Sequence, residues 1–252
     1  MEIIGHRGAL YMAPENTLAS VMLAWRQNVD IVEIDVRLSL DGRLMVMHDA
    51  STRRTTGADL LIAQTSADEL RTLDAGIWKG AEFAGEKIPF LEEVIAAIPA
   101  GKRLFVEVKC GAEAVDVLEQ TFNASGKAEQ IAVIGFDIDT ISAFKRAMPS
   151  VPVYWLQASG THDCGRSWKP YDPSLIDTAA GRGLDGLDLH YGGVTPELVA
   201  AAKDAGMRFY AWTVNDPDCA VRLRDMGVEG IGCDCPGWMI EQLWLREEEA
   251  RP

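Results

Sequence analysis

Apolar residues fall along this chain in two alternating rhythms. Short runs rich in β-branched and aromatic residues occupy positions 2–6, 31–37, 104–109, 130–134, 153–156, 186–189, 208–214 and 230–233, with the length and composition of buried strands. Between them, apolar positions recur at helical spacing over residues 17–27, 112–123, 138–147, 173–180, 196–205, 217–226 and 238–246. In the first of these, Leu18, Val21, Met22 and Trp25 form one stripe behind Asn16, the expected N-cap. Eight strands alternating with helices predict α/β architecture with a closed parallel sheet, a (β/α)8 TIM barrel with right-handed crossovers. An open doubly wound sheet is the alternative that the same pattern allows.

One stretch breaks the repeat. From 51 to 101, about fifty residues stand where a barrel needs only a loop and one helix. Gly57, Gly76, Gly80, Gly85 and Pro89 punctuate it, and short helical patterns fall at 66–73 and 90–98. A small insertion subdomain after strand 2 is therefore expected, capping the active-site end of a single barrel domain that spans 1–252. Trp78 and Phe83 are its expected small core.

Strand parity then brings out candidate chemistry. Side chains alternate faces along a strand, so Glu33 and Asp35 share one face while Val32, Ile34 and Val36 share the other. In the next predicted strand Glu107 and Lys109 point together, opposite Val106 and Val108. Consecutive barrel strands are neighbours, so the three carboxylates converge on the barrel interior. A single barrel glutamate reads as half of a structural ion pair. Three in a poorly hydrated site need a cation, and all-oxygen ligation suits Mg²⁺ or Ca²⁺, with Mn²⁺ also compatible. Lys109 beside such a cation makes sense where a phosphate bridges the two.

His6 ends the first strand, and Gly8 lets the chain turn away sharply behind it. Arg7 offers a planar fork of donors matched to phosphate oxygens. After the Asp41-Gly42 turn, the apolar approach 44–49 delivers His48 to the same rim. Each of these residues alone reads as structural; their shared position with the carboxylates makes them candidates for catalysis. His162 and His190 lack comparable partners and read as structural or rim residues.

Composition narrows the partners. Among 252 residues, 48% hydrophobic, Asp plus Glu number 38 against 24 for Lys plus Arg, a formal charge of −14 with no basic stripe. Nucleic acid and anionic membrane surfaces are excluded as partners on that ground. Cysteines 110, 164, 219, 233 and 235 lack the spacing of a zinc site or a disulfide framework and read as free thiols. The N-terminus lacks a basic and then apolar leader, and no apolar run reaches the length of a membrane span. A cytoplasmic protein without stable membrane association is expected, as monomer or homodimer.

Taken in order, H-R-G at 6–8, P-E-N-T at 14–17, E-I-D-V at 33–36, H-D at 48–49, E-V-K at 107–109 and W-T-V-N at 212–215 resemble the bacterial glycerophosphodiester phosphodiesterase family. The resemblance covers nearly the whole chain, including Arg54-Thr55-Thr56, Leu73-Asp74-Ala75-Gly76 and Leu91-Glu92-Glu93-Val94 in the insertion. It implies a TIM barrel that hydrolyses small-molecule glycerophosphodiesters to glycerol 3-phosphate and an alcohol. It further implies one divalent cation on Glu33, Asp35 and Glu107, His6 and His48 as the acid–base pair, and Arg7 and Lys109 on the phosphate. Trp212 is the candidate surface for the glycerol or head-group alcohol. Phe90 departs from the family pattern where a Thr often precedes Leu-Glu-Glu, as does Cys233-Asp234-Cys235-Pro236 where Thr-Asp-x-Pro is usual. The segment 159–171, with His162 and Trp168, has no family counterpart and is expected on the active-site side. Two rival readings remain: a phospholipase-like barrel acting on lipids, which calls for an exposed apolar rim, and a catalytically silent binding barrel, which calls for losses among the histidines or carboxylates.

Overall fold

All eight predicted runs are strands of one closed sheet in the computed structural model, which describes residues 1–158 and 168–249. With one additional strand they are, in chain order, β1 (Glu2–Gly5), β2 (Ile31–Leu38), β3 (Leu44–Val46), β4 (Arg103–Val108), β5 (Ile131–Gly135), β6 (Val153–Gln157), β7 (Gly186–His190), β8 (Arg208–Trp212) and β9 (Gly230–Cys233). Hydrogen-bonded neighbours run β1-β2-β4-β5-β6-β7-β8-β9, all parallel, and β9 pairs back onto β1 with Ile3 opposite Ile231. Closure of this ring gives the (β/α)8 barrel and removes the open sheet. β3 lies outside the ring, antiparallel to β2, with Val36 opposite Val46. Three residues of clean apolar pattern are too short to announce a strand in sequence.

Alternation splits the apolar residues into two layers. Val32, Ile34, Val36, Val106 and Val108 face outward and join the helices in the main core. Ile4, Ile31, Phe105, Tyr154, Leu156 and Tyr210 face inward and fill the barrel. There Phe105 meets Tyr210 edge to face, ring centroids 5.1 Å apart at 88°, the arrangement that aromatic quadrupoles favour. This plug forms the floor under the polar residues above.

The first helix, Leu18–Arg26, is capped by Thr17 rather than by Asn16. Thr17 is extended at φ −109°, as an N-cap must be, and its side chain accepts from the Ser20 N–H. Asn16 is left-handed at φ 57°, which turns its side chain away from the helix and toward β2.

The insertion has a core of its own, made by Met45, Met47, Ile62, Leu70 and Ile88. Trp78 and Phe83 do not form it: Trp78 is 40% exposed, its indole N–H donating to the Ala75 carbonyl, and Phe83 is half-buried. β3 and the approach to His48 supply that core instead. The helix Leu91–Ala96 buries Leu91, Val94 and Ile95 in the main core, so it is the barrel helix between β2 and β4. Phe90 has no side-chain acceptor to cap it. Half of a capping box remains, the Phe90 N–H donating to Glu93 Oε2 at 2.8 Å.

Cys110, Cys219, Cys233 and Cys235 are free thiols; Cys164 and His162 lie outside the described residues. Among the described residues, no helix is long and apolar enough to cross a membrane.

Candidate active site

Inward parity on β2 and β4 brings the three carboxylates together as expected. Asp35 and Glu107 are register partners across the β2–β4 pair, and ligand oxygens of Glu33, Asp35 and Glu107 all lie within 4.8 Å of one another. All three side chains are buried. Burial, then the negative charges of Asp35 and Glu107, push Glu33 well above the usual carboxylate range. Burial and Asp35 raise Glu107 to about 7. Burial acts against the Asp35 anion too, but Lys109 and Arg7 outweigh it and hold Asp35 below its ordinary value.

Among the described residues, Glu33 Oε1 is buried without a hydrogen-bond partner, and Asp35 Oδ1 and Glu107 Oε1 are buried beside the Lys109 ammonium. Lys109 Nζ lies 3.2 Å from Asp35 Oδ1 and touches Glu107 Oε1 as well. Buried acceptor oxygens with lone pairs to spare are what a hard divalent cation takes as ligands. The donor set therefore fits such an ion.

Each of the two histidines is fixed at Nδ1 by a carboxylate. His6 Nδ1 is 2.7 Å from Asp234 Oδ1, and His48 Nδ1 is 2.7 Å from Asp49 Oδ1. Neither Nε2 has a hydrogen-bond partner among the described residues, and both rings line one cavity with Arg7, Glu33, Glu107 and Lys109. Burial pushes His48 below the ordinary imidazole value. Asp234 is itself clamped by Asn215, whose Nδ2 donates to Oδ2 at 2.7 Å while the Asp234 N–H donates to Asn215 Oδ1. On β2, the Arg37 side chain donates to the backbone carbonyls of His48 (2.8 Å) and Lys109 (3.1 Å), joining the two loops that carry them.

The turn after β1 carries backbone strain. Arg7 has φ 52°, and a Cβ on Gly8 (φ +85°) would stand 2.6 Å from the Ser20 backbone. In that conformation the Arg7 N–H donates to Glu33 Oε2 at 2.9 Å, and its carbonyl accepts from Ser20 Oγ and from the Asn16 N–H. The Arg7 guanidinium contacts Glu15 Oε1 (2.8 Å) and Asp35 Oδ2 (3.3 Å). Asn16 spans the same gap, donating from Nδ2 to Asp35 Oδ2 at 2.8 Å and accepting from the Asp35 N–H. Arg54, from the insertion, forks onto Glu15 (2.7 and 2.8 Å) and reaches Asp49 Oδ2 (2.7 Å).

The cavity measures about 260 Å³, small beside the roughly 300–1,000 Å³ of drug-sized sites. Its other wall is apolar, with Ile134, Phe136, Leu156 and Trp212. Trp212 meets Phe136 edge to face at 5.7 Å and is anchored by its indole N–H to the Asp188 carbonyl. His190 stacks at the rim with Tyr191 and Trp168.

Residues 6–238 match the glycerophosphoryl diester phosphodiesterase family. The chain belongs to that family. Similar proteins include the glycerophosphodiester phosphodiesterase of Caldanaerobacter subterraneus subsp. tengcongensis, 31% identical over 94% of this chain and 96% of the relative. Among solved structures, a phosphodiesterase of Oleispira antarctica in complex with the product sn-glycerol-3-phosphate superposes with a TM-score of 0.87, at 30% identity and 96% coverage of each chain. A glycerophosphodiester phosphodiesterase from Parabacteroides distasonis gives a TM-score of 0.78 at 26% identity, covering 99% of this chain and 98% of that one. As a glycerophosphodiester phosphodiesterase family member the chain is a phosphoric diester hydrolase.

Every residue expected from the sequence stands at the cavity or its carboxylate cluster. Asp234, Asp49, Asn16, Glu15, Arg54 and Asp188 complete the arrangement beyond them. Asp49, Asn16, Glu15, Arg54 and Asp234 sit inside family motifs and carried a signal there; the pairing of Asp234 with His6 and the place of Asp188 opposite β2 depend on barrel closure, which no local pattern reveals.

Proposed function

We propose that the protein hydrolyses glycerophosphodiesters to glycerol 3-phosphate and an alcohol, with one divalent cation and a histidine pair. The observation that carries this reading is two imidazoles, each fixed at Nδ1 by a carboxylate, that line one cavity with two cations and a cluster of buried carboxylates. Glu33, Asp35 and Glu107 would hold the ion, Mg²⁺, Ca²⁺ or Mn²⁺. Bound there, it supplies positive charge that neutralises the phosphodiester and stabilises the crowded transition state.

The chain's own groups do the rest. Arg7 and Lys109 orient the phosphate and offset its charge. Asp234 and Asp49 fix the tautomer in which each Nε2 is free to exchange a proton. Burial disfavours the charged form of His48, which suits it to take a proton from the nucleophile; His6, on Asp234, then delivers one to the departing alcohol. Trp212 packs against the organic part of the substrate, and the insertion closes one side of the site through Arg54. The same reading places the protein in the cytoplasm with diffusible substrates.

Release of glycerol 3-phosphate from glycerophosphocholine, followed with a coupled dehydrogenase, tests the proposal. Turnover that depends on a divalent cation and on both histidines is expected; turnover that survives exhaustive chelation removes the cation from it.

A further inference from the structure

Asp188 lies on β7, the sixth strand of the ring, and so faces Glu33 and Asp35 of β2, the second strand, from the opposite wall. Alternation sends Leu187 and Leu189 outward into the main core and Asp188 inward to the cavity. The residue is 4% exposed. Its carboxyl makes no hydrogen bond among the described residues, and Oδ1 is fully buried without a partner. Trp212 donates to the Asp188 carbonyl, not to the side chain. Leu156 and Tyr210 flank it in register on β6 and β8.

A buried acceptor left without a donor lowers stability, and native chains rarely keep one. The histidines and the phosphate-side cations stand at the ends of β1 and β4 and in the loop after β3. A substrate whose phosphate sits there extends its carbon chain toward the β6–β8 wall, where Asp188 is the acidic side chain in a lining that is otherwise apolar save for Thr213.

We propose that Asp188 determines specificity by accepting a hydrogen bond from a hydroxyl of the substrate's glycerol moiety, so that the enzyme prefers hydroxylated over plain alkyl phosphodiesters. This rests on the phosphodiesterase reading above. A hydroxyl suits the position better than an ammonium. It loses less hydration on entering a wall made of Ile134, Phe136, Leu156 and Trp212. It also pairs with the carboxylate and the carboxylic acid alike.

The test compares Asp188→Ala and Asp188→Asn with the unaltered protein on glycerophosphocholine and on methyl 4-nitrophenyl phosphate, a diester with no hydroxyl. Asp188→Ala should lower kcat/KM on glycerophosphocholine by about ten- to a hundredfold, chiefly through KM, and shift the ratio between the two substrates toward the hydroxyl-free one. Asp188→Asn, which keeps an acceptor in a side chain of the same size, should recover most of the loss. An equal loss on both substrates, an unchanged ratio, or an Asp188→Asn variant as impaired on glycerophosphocholine as Asp188→Ala overturns the proposal alone. If the unaltered protein cleaves neither diester, the phosphodiesterase reading fails and this proposal with it.

Discussion

His6 Nδ1 lies 2.7 Å from Asp234 Oδ1, although 228 positions separate the two residues in the chain. His48 obtains the same contact from its immediate neighbour Asp49. The two imidazoles are thus oriented alike, one by closure of the barrel and one by a single step of backbone. Replacing either ring should be equally damaging: His6→Ala and His48→Ala are expected to reduce kcat by about 10²- to 10⁴-fold, with circular dichroism and Tm close to those of the unaltered protein. Near-normal turnover in either variant contradicts its place in the acid–base pair.

The orienting carboxylates should matter through the rings they hold. Asp234→Asn keeps the size of the side chain but ends charge stabilisation of a protonated His6, and a loss of at least about tenfold in kcat is expected with little change in KM. Asn215→Ala, one contact further out, should give a smaller loss in the same direction. Should KM rise instead while kcat holds, Asp234 serves substrate binding rather than His6.

Arg54 ties the insertion to the site. It forks onto Glu15, and its contact with Asp49 helps hold the Asp49 carboxyl at about 2. A lysine keeps the charge but not the planar fork. Arg54→Lys should therefore raise the Asp49 pKa, read by NMR titration, and lower kcat by about tenfold. A variant indistinguishable from the parent in both readouts would leave the insertion without this link.

Stability without metal should fall as pH rises from about 5 to 8. Glu107 and Asp188 are raised to about 7 and about 8, for both mainly by burial. Unfolded carboxyls lose their protons near 4, so across this window the folded chain binds more protons than the unfolded one and the balance shifts against folding. Added Mg²⁺ should restore Tm more at pH 8 than at pH 5, because protons compete for Glu33 and Glu107 at the lower pH. Calorimetry in the presence and absence of chelator measures both slopes; a chelated protein whose Tm climbs steadily from pH 5 to 8 would speak against the buried, partly protonated cluster.

The plug beneath the site is a separate matter of packing. Phe105 is fully buried among Tyr154 and Tyr210, and Phe105→Ala should cost about 3–5 kcal/mol in chemical denaturation.

Much of this arrangement is legible in the sequence because parity on a strand is a local property. Glu33 with Asp35, and Glu107 beside Lys109, require only a period of two and the knowledge that consecutive barrel strands are neighbours. What escapes is whatever depends on backbone handedness or on distant closure. Asn16 looks like a cap until its φ of 57° turns the side chain toward Asp35. Asp188 looks like one polar residue in an apolar strand until the ring sets it opposite β2. Trp78 has the bulk of a core residue, yet the insertion fills its core from Met45 and Met47 and leaves the indole at the surface.

Because β1 completes its pairing only when β9 arrives, and Asp234 follows β9 directly, His6 is oriented only once a residue 228 positions further along the chain has docked. With His6 in the acid–base pair, the onset of turnover during refolding should therefore time the closing of the ring.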